Sequence, residues 1–193
     1  MIGVILLAAG ISERLGRPKQ LLSYKGTTLL QYVIQVITAV IKQPVVLVLG
    51  AKAEEVQQAV GTTGVDVAIN KDWQEGMASS IRYGVKAITS LQPAVEGLII
   101  MVCDQPYVSP EIINALLSKR TSTGKKIIAS TYNGSIGVPV LFDKAFFPQL
   151  LSLKGQEGAK KIVQQHPDDV ETIAFPGGSI DIDTAEDYEA LKQ

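Results

Sequence analysis

Several short runs of this chain are apolar without a break. Residues 2–8 read IGVILLA, VVLVLG follows Pro44, and GLIIMVCD begins at Gly97. A strand with one wet face alternates apolar and polar residues, so an unbroken run signals a strand covered on both sides. VDVAIN, ending at Asn70, joins the set as a further strand. A sheet covered on both sides needs one layer of helices above it and another below. No other property of the sequence restricts the fold as much.

The segments between the strands supply those helices. TLLQYVIQVITAVI, from Thr28 to Ile41, spaces its apolar residues at helical period, with Thr27 or Thr28 able to cap it. AEEVQQAV predicts a short helix, and EGMASSIRYGVKAI predicts one that opens near Gly76. SPEIINALLSKR places Ser109 as the cap and Pro110 at the first helical position. Further on, KIIAST, GVPVLF and VETIAF predict strands. GQEGAKKIVQQH predicts a helix, and TAEDYEALKQ a closing helix capped by Thr184. The expected fold class is α/β: a three-layer α/β/α sandwich with a mostly parallel, Rossmann-like sheet. The 193 residues suit a single domain.

Charge narrows the partners. Nineteen acidic residues nearly balance eighteen basic ones, for a net charge of −1. Gross charge therefore points neither to nucleic acid nor to a membrane surface. An anionic ligand must be met by a local cluster of cations. The one cysteine, Cys103, excludes an intramolecular disulfide and suits a reducing cytoplasm. The first apolar run lacks a basic leader and is too short to span a bilayer.

Ligands in open α/β sheets bind beyond the carboxyl ends of the strands, near a switch in strand order. The loops after Ala8, Leu49, Ile69 and Val102 are expected to converge there. They carry Gly10 to Lys19, Gly50, Asn70 to Ser80, and Asp104. The first of these loops is neither a P-loop nor a G-x-G-x-x-G fingerprint. Ala8, Ala9 and Gly10, following Leu7, have almost no side chain, so backbone N–H groups can approach a polyphosphate closely. Ser12 adds a hydroxyl. Arg14 can meet phosphate oxygens as a fork and Lys19 as a point charge. The plain alternative is a βα turn with solvated cations.

The string LAAGISERLGRPKQLL resembles the L-A-A-G-x-S-x-R-x-G-x-x-K signature of MobA-like nucleotidyltransferases, whose fold is that of the nucleotide-diphospho-sugar transferases. Its PKQLL ending is most similar to the molybdenum cofactor cytidylyltransferase (MocA-type) branch. NKDWQEGMASSI, residues 70–81, resembles that branch's N-x-x-W-x-x-G-M-x-x-S segment. The resemblance covers the whole chain, with its motifs in order. It implies a nucleotide-binding half of about 1–108 and an acceptor-binding half of about 109–193. It implies that Asn70, Gly76, Met77, Ser79 and Ser80 join Leu7, Ala8, Ala9, Gly10, Ser12, Arg14 and Lys19 around the nucleotide, and it favours cytosine over guanine. Trp73 is either part of that wall or a core or rim aromatic.

VCDQP, residues 102–106, matches the family's D-x-P segment, which makes Asp104 the implied metal ligand. In the wider fold an acid before the last helix completes the metal site. Asp181 is the better match by position and Asp183 the runner-up. The branch often reads L-x-G-D-x-G-A-R where this chain has LKGQEGAK, so Gln156 replaces the acid and Lys160 the arginine. Lys160 or Lys161 could meet an acceptor phosphate or lie on a solvated helix face. His166, the only histidine, reads as a surface residue at a helix end, and Arg17 as a solvated cation.

The implied reaction is Mg²⁺-dependent transfer of CMP from CTP to molybdopterin or molybdenum cofactor, with release of pyrophosphate. Arg14, Lys19 and Asp104 are the implied catalytic residues, and a molybdenum hydroxylase would receive the product. Two alternatives stand beside it. One is a GTP-using or sugar-phosphate nucleotidyltransferase of the same fold; the other is a non-catalytic molybdenum cofactor carrier.

Overall fold

The computed structural model describes residues 1–61 and 64–191. Its strands are β1 (Ile2–Ala8), β2 (Ser23–Tyr24), β3 (Thr27–Thr28), β4 (Val45–Leu49), β5 (Asp66–Ile69), β6 (Gly97–Val102), β7 (Ile127–Tyr132), β8 (Ser135–Asp143) and β9 (Val170–Ala174). Its helices are α1 (Leu29–Val40), α2 (Ala53–Val60), α3 (Met77–Leu91), α4 (Pro110–Thr123), α5 (Phe147–Ser152), α6 (Ala159–Gln165) and α7 (Ala185–Leu191). Seven strands form one sheet in the order β5-β4-β1-β6-β8-β7-β9, while β2 and β3 pair as a separate antiparallel ribbon. Every pairing in the large sheet is parallel except those of β8 with β6 and β7.

The chain moves outward from β1 to β4 and β5, then returns to the other side of β1 with β6. Strand order therefore switches at β1. That places a crevice beyond the carboxyl ends of β1 and its neighbours, the common ligand position in such sheets.

Successive residues of the central strands face opposite layers. Val4, Leu6, Leu47 and Met101 pack with Leu30 and Ile37 of α1 and Ile113 of α4. Ile5, Val46, Val48 and Ile100 pack with Ile81 and Val85 of α3 and Ile162 of α6. Both layers are fully apolar there, which is why the runs do not alternate. A third cluster of Leu22, Tyr24, Leu29, Ile182 and Tyr188 pins α7 against the β2–β3 ribbon.

Local chemistry sets the element ends. Thr28 and Gln31 form a reciprocal capping box at the start of α1. Thr184 Oγ accepts from the backbone N–H of Asp187 at 3.1 Å, and the Asp187 carboxylate accepts back from Thr184 N at 2.8 Å. Lys192 and Gln193 of the expected closing helix lie outside the described residues. Ser109 does sit before Pro110, but its side chain makes no capping bond. Its hydroxyl serves the Glu111 carboxylate instead, holding it below its usual range. The helix expected from Gly155 begins only at Ala159, because Gly155 takes a left-handed turn at φ 57° and Gly158 sits extended at the cap. No helix among the described residues is long and apolar enough to cross a membrane.

Candidate active site

Beyond β1 and β6 lies a cleft of about 380 Å³. Leu7, Ala8, Ala9 and Gly10 line it from the end of β1, Gly76, Met77 and Ser80 from the start of α3, and Lys19 and Asp104 from the loops between. Ser12 and Arg14 line an adjoining hollow that shares Gly10 and Lys19. Two of the residues expected here stand behind the wall: Asn70 and Ser79 are fully buried and are not among the lining residues.

The opening loop is held by its carbonyls. Gln20 Nε2 donates to Ala8 O at 2.8 Å and to Gly10 O at 3.3 Å, while the backbone N–H of Ala51 donates to Ala9 O at 3.1 Å. Ser12 then takes a left-handed conformation at φ 58°, uncommon for a residue with a side chain. Its Oγ accepts from the backbone N–H of Lys19 at 3.2 Å, which closes the loop on itself.

The charges form a chain. Lys19 Nζ lies 2.6 Å from Asp104 Oδ2 and 3.0 Å from Asp183 Oδ1, and Arg14 donates to Asp183 Oδ2 at 2.6 Å. Burial pulls the Lys19 ammonium down, but the Asp104 carboxylate beside it more than compensates and holds it above its ordinary value. The hydrogen bond from Lys19 holds Asp183 below its ordinary value despite some burial. Asp181 behaves in the opposite way. Packing around its carboxyl, then the charges of Asp104 and Asp183, push it up to about 6, although the residue as a whole reaches water.

These carboxylates fit a divalent cation. Asp104 Oδ1 is buried with no hydrogen-bond partner, and the mutual repulsion felt by Asp181 is what a nearby cation relieves. Among the described residues no group of three or more His, Cys, Asp or Glu side chains is gathered to hold a metal alone. A cation held by Asp104 and Asp181 would need further oxygens from a ligand, as Mg²⁺ commonly takes from phosphates. The alternative acid, Asp183, is the one engaged by Lys19 and Arg14.

The second wall is built from local hydrogen bonds. Asn70 Nδ2 donates to Ser79 Oγ at 2.8 Å and to Ser80 Oγ at 3.0 Å, and its Oδ1 accepts from Asp72 N at 2.9 Å. Ser79 Oγ donates to Gly76 O at 2.8 Å. Gly76 has φ 119°, and a Cβ there would lie 2.5 Å from Gly155 O, so glycine is required twice over. The backbone N–H of Ala78 donates to that same Gly155 carbonyl at 3.1 Å. Arg82 donates to Glu75 and to Leu153 O, tying residues 153–156 to α3. Gln156, which replaces the branch's acid, thereby lines the cleft. Trp73 lines it too, with its Cβ over Gly50.

Other expected positions lie elsewhere. Lys160 is exposed, and Lys161 pairs with Glu157 in the turn before α6. Arg17 is not merely solvated: its guanidinium stacks 5.3 Å from the Tyr188 ring centroid, against α7. His166 is half-buried rather than on the surface, with Nε2 2.8 Å from Gln149 Oε1 and its ring edge-on to Phe146. It joins α6 to α5. Cys103 is buried beside Asp104, and burial pushes its thiol up to about 12.

Gln20 and Gln105 escaped the reading of the sequence. Each directly follows a charged residue of the site and is only 1% exposed. Gln105 Nε2 donates to Gly178 O at 2.8 Å and Val138 O at 3.3 Å, which joins the Asp104 loop to β8 and to the turn before Asp181. The available signal was a polar residue set beside apolar ones, as in QLL.

Comparison with known proteins bears on the chemistry. A family profile described as the MobA-like NTP transferase domain matches residues 4–170. A protein named nicotine blue oxidoreductase, from Paenarthrobacter nicotinovorans, is 31% identical over 94% of this chain and 92% of its own length. A probable molybdenum cofactor guanylyltransferase of Bacillus cereus is 31% identical over 67% of this chain and 62% of its own length. The crystal structure of Rv0371c from Mycobacterium tuberculosis superimposes with a TM-score of 0.87 at 32% identity, covering 98% of this chain and 96% of that one. A complex of Rv0371c with manganese gives 0.81 at 29% identity, covering 98% of this chain and 97% of that one.

Proposed function

Because the chain belongs to the MobA-like NTP transferase domain family, we propose that this nucleotidyltransferase moves CMP from CTP onto molybdopterin or molybdenum cofactor. One observation carries the reading: a paired Lys19 and Asp104 meet, 2.6 Å apart, beside a small-residue loop in the crevice at the strand switch. The nucleotide side spans about residues 1–108 and the acceptor side about 109–193. The acceptor phosphate attacks the α-phosphorus in line. A bond from its oxygen to phosphorus forms, the bond to the β-phosphate bridge breaks, and pyrophosphate leaves.

A phosphate nucleophile is already anionic at neutral pH, so this chemistry needs no histidine base. The protein contributes position and charge. Leu7, Ala8, Ala9, Gly10 and Ser12 cradle the triphosphate. Arg14 and Lys19 neutralise charge on the transferred and leaving phosphates once they release their carboxylate partners. Gly76, Met77 and Ser80 face the base, with Asn70 and Ser79 fixing that wall from behind. Asp104 and Asp181 would hold Mg²⁺, which would supply positive charge to screen the phosphate oxygens. The product passes to a molybdenum hydroxylase in the cytoplasm.

Pyrophosphate release from CTP or GTP with molybdopterin, molybdenum cofactor or sugar phosphates as acceptor tests this directly. Release from CTP with the molybdenum acceptors supports the proposal; release only with GTP or a sugar phosphate replaces the base or the acceptor. A redox role like the one named for the P. nicotinovorans relative predicts turnover without pyrophosphate. A carrier predicts binding without turnover. Asp104→Ala should abolish release while the fold persists, and unchanged release would defeat the metal assignment.

A further inference from the structure

The carbonyls of Ala8, Ala9 and Gly10 are all engaged by the protein, two of them by the side chain of Gln20. The N–H groups on the same peptide planes belong to Ala9, Gly10 and Ile11. Among the described residues, no backbone or side-chain group accepts from any of these three. A trans peptide is planar, and its C=O and N–H point in opposite directions. Fixing the carbonyls of Ala8 and Gly10 on Gln20 therefore fixes the N–H groups of Ala9 and Ile11 facing away from Gln20. The loop is sorted into a held carbonyl side and a free donor side.

Gln20 carries a cost that a filler would not. It is 1% exposed, and its Oε1 is buried with no partner. A methionine or leucine would fill the space without burying an unsatisfied acceptor. The value of glutamine at this position must lie in its two N–H donors. Glutamate has the same shape but would set a carboxylate against two carbonyl oxygens.

We propose that Gln20 is a positioning residue that orients the N–H groups of Ala9 and Ile11 to receive the phosphates of a nucleoside triphosphate. The proposal rests on the reading of the cleft as a nucleotidyl-transfer site. It assigns Gln20 no contact with substrate. Its effect reaches the phosphates through the backbone and leaves the base wall untouched.

The test uses Gln20→Met and Gln20→Glu in the full chain, with Mg²⁺ present. Titration calorimetry with CTP, GTP and inorganic tripolyphosphate reads the phosphate contribution, and thermal unfolding reads stability. Both variants should bind tripolyphosphate and the accepted nucleotide at least about tenfold more weakly at temperatures where circular dichroism shows them folded, the loss expected for charge-assisted hydrogen bonds. Lower melting with affinities within twofold of the parent would make Gln20 a structural residue and overturn the proposal. If neither variant folds, the parent protein decides by NMR. Its Ala9 and Ile11 amide proton signals should move downfield on adding tripolyphosphate, and unmoved signals overturn the proposal. A parent that binds triphosphate but never releases pyrophosphate defeats the proposed activity and leaves the role of Gln20 standing. A parent that turns over, with variants of equal affinity, defeats only the role of Gln20.

Discussion

The two walls of the cleft are built in different ways. In the opening loop, the charged groups find partners far along the chain: Lys19 reaches Asp104, 85 residues away, and Arg14 reaches Asp183, 169 residues away. In the wall from Asn70 to Ser80, every side-chain bond of Asn70 and Ser79 closes within ten residues. The charges of the first wall form exchangeable ion pairs over a loop that Gln20 and Ser12 hold locally. The second is a locally satisfied, buried network. Such a network contributes to stability first, because removing one member strands buried polar atoms. The exposed pair of Arg14 with Asp183 contributes little to stability and leaves its charges available to a ligand, while Lys19 and Asp104 pair in a mostly buried position.

Substitutions can break that distinction. The largest expected effect is on turnover: Lys19→Met should lower kcat/KM by a factor on the order of 10²–10³, as loss of a charge-stabilising donor does. Measured pyrophosphate release within tenfold of the parent would remove Lys19 from the reacting centre. Next comes Asn70→Ala, which should cost about 2–3 kcal/mol of unfolding free energy by denaturant titration, since the hydroxyls of Ser79 and Ser80 lose their donor. If turnover at low temperature falls more steeply than stability, the second wall is not the preformed element described.

Arg14→Gln sharpens the contrast. The side chain of Arg14 is 69% exposed, so its pair with Asp183 should be worth less than about 1 kcal/mol in unfolding. The KM for the nucleotide should rise and kcat should fall, by less than for Lys19→Met, and steady-state kinetics reads both. The smallest expected effect concerns Cys103. Its thiol is pushed up to about 12 by burial, so thiolate is scarce at pH 8 and grows only as pH rises. Alkylation of the native protein at pH 8 should be slow and should jump on unfolding. Rapid native labelling would show the floor of the cleft opening.

Much of the fold was legible because it is written in local pattern. The runs at β1, β4 and β6 are apolar throughout because helices cover both faces. The β2–β3 ribbon was not legible, since strands of two residues carry no period. The late start of α6 was missed because a helical pattern does not reveal that Gly155 must turn left-handed to meet Gly76. At the candidate site, the residue types of the opening loop and of VCDQP were readable, and their pairing was not. Sequence position ranked Asp181 ahead of Asp183, and only the fold shows that Lys19 and Arg14 engage Asp183. Gln20 and Gln105 were invisible for a related reason: their partners are backbone carbonyls, which have no letter in the sequence.

The ion-pair chain also bears on how a ligand arrives. Arg14, Lys19, Asp104 and Asp183 together sum to no net charge, the neighbouring Asp181 adds no attraction for an anion, and the whole molecule carries only −1. Seen from more than a Debye length away, about 8 Å in physiological salt, the mouth of the cleft offers a polyanion almost no field. Encounter is therefore governed by diffusion and shape, with little sensitivity to ionic strength. Attraction begins only on contact, when an arriving phosphate competes with Asp183 and Asp104 for cations they already hold. The enzyme forgoes fast capture, and crowding anions of the wrong shape gain nothing from charge alone.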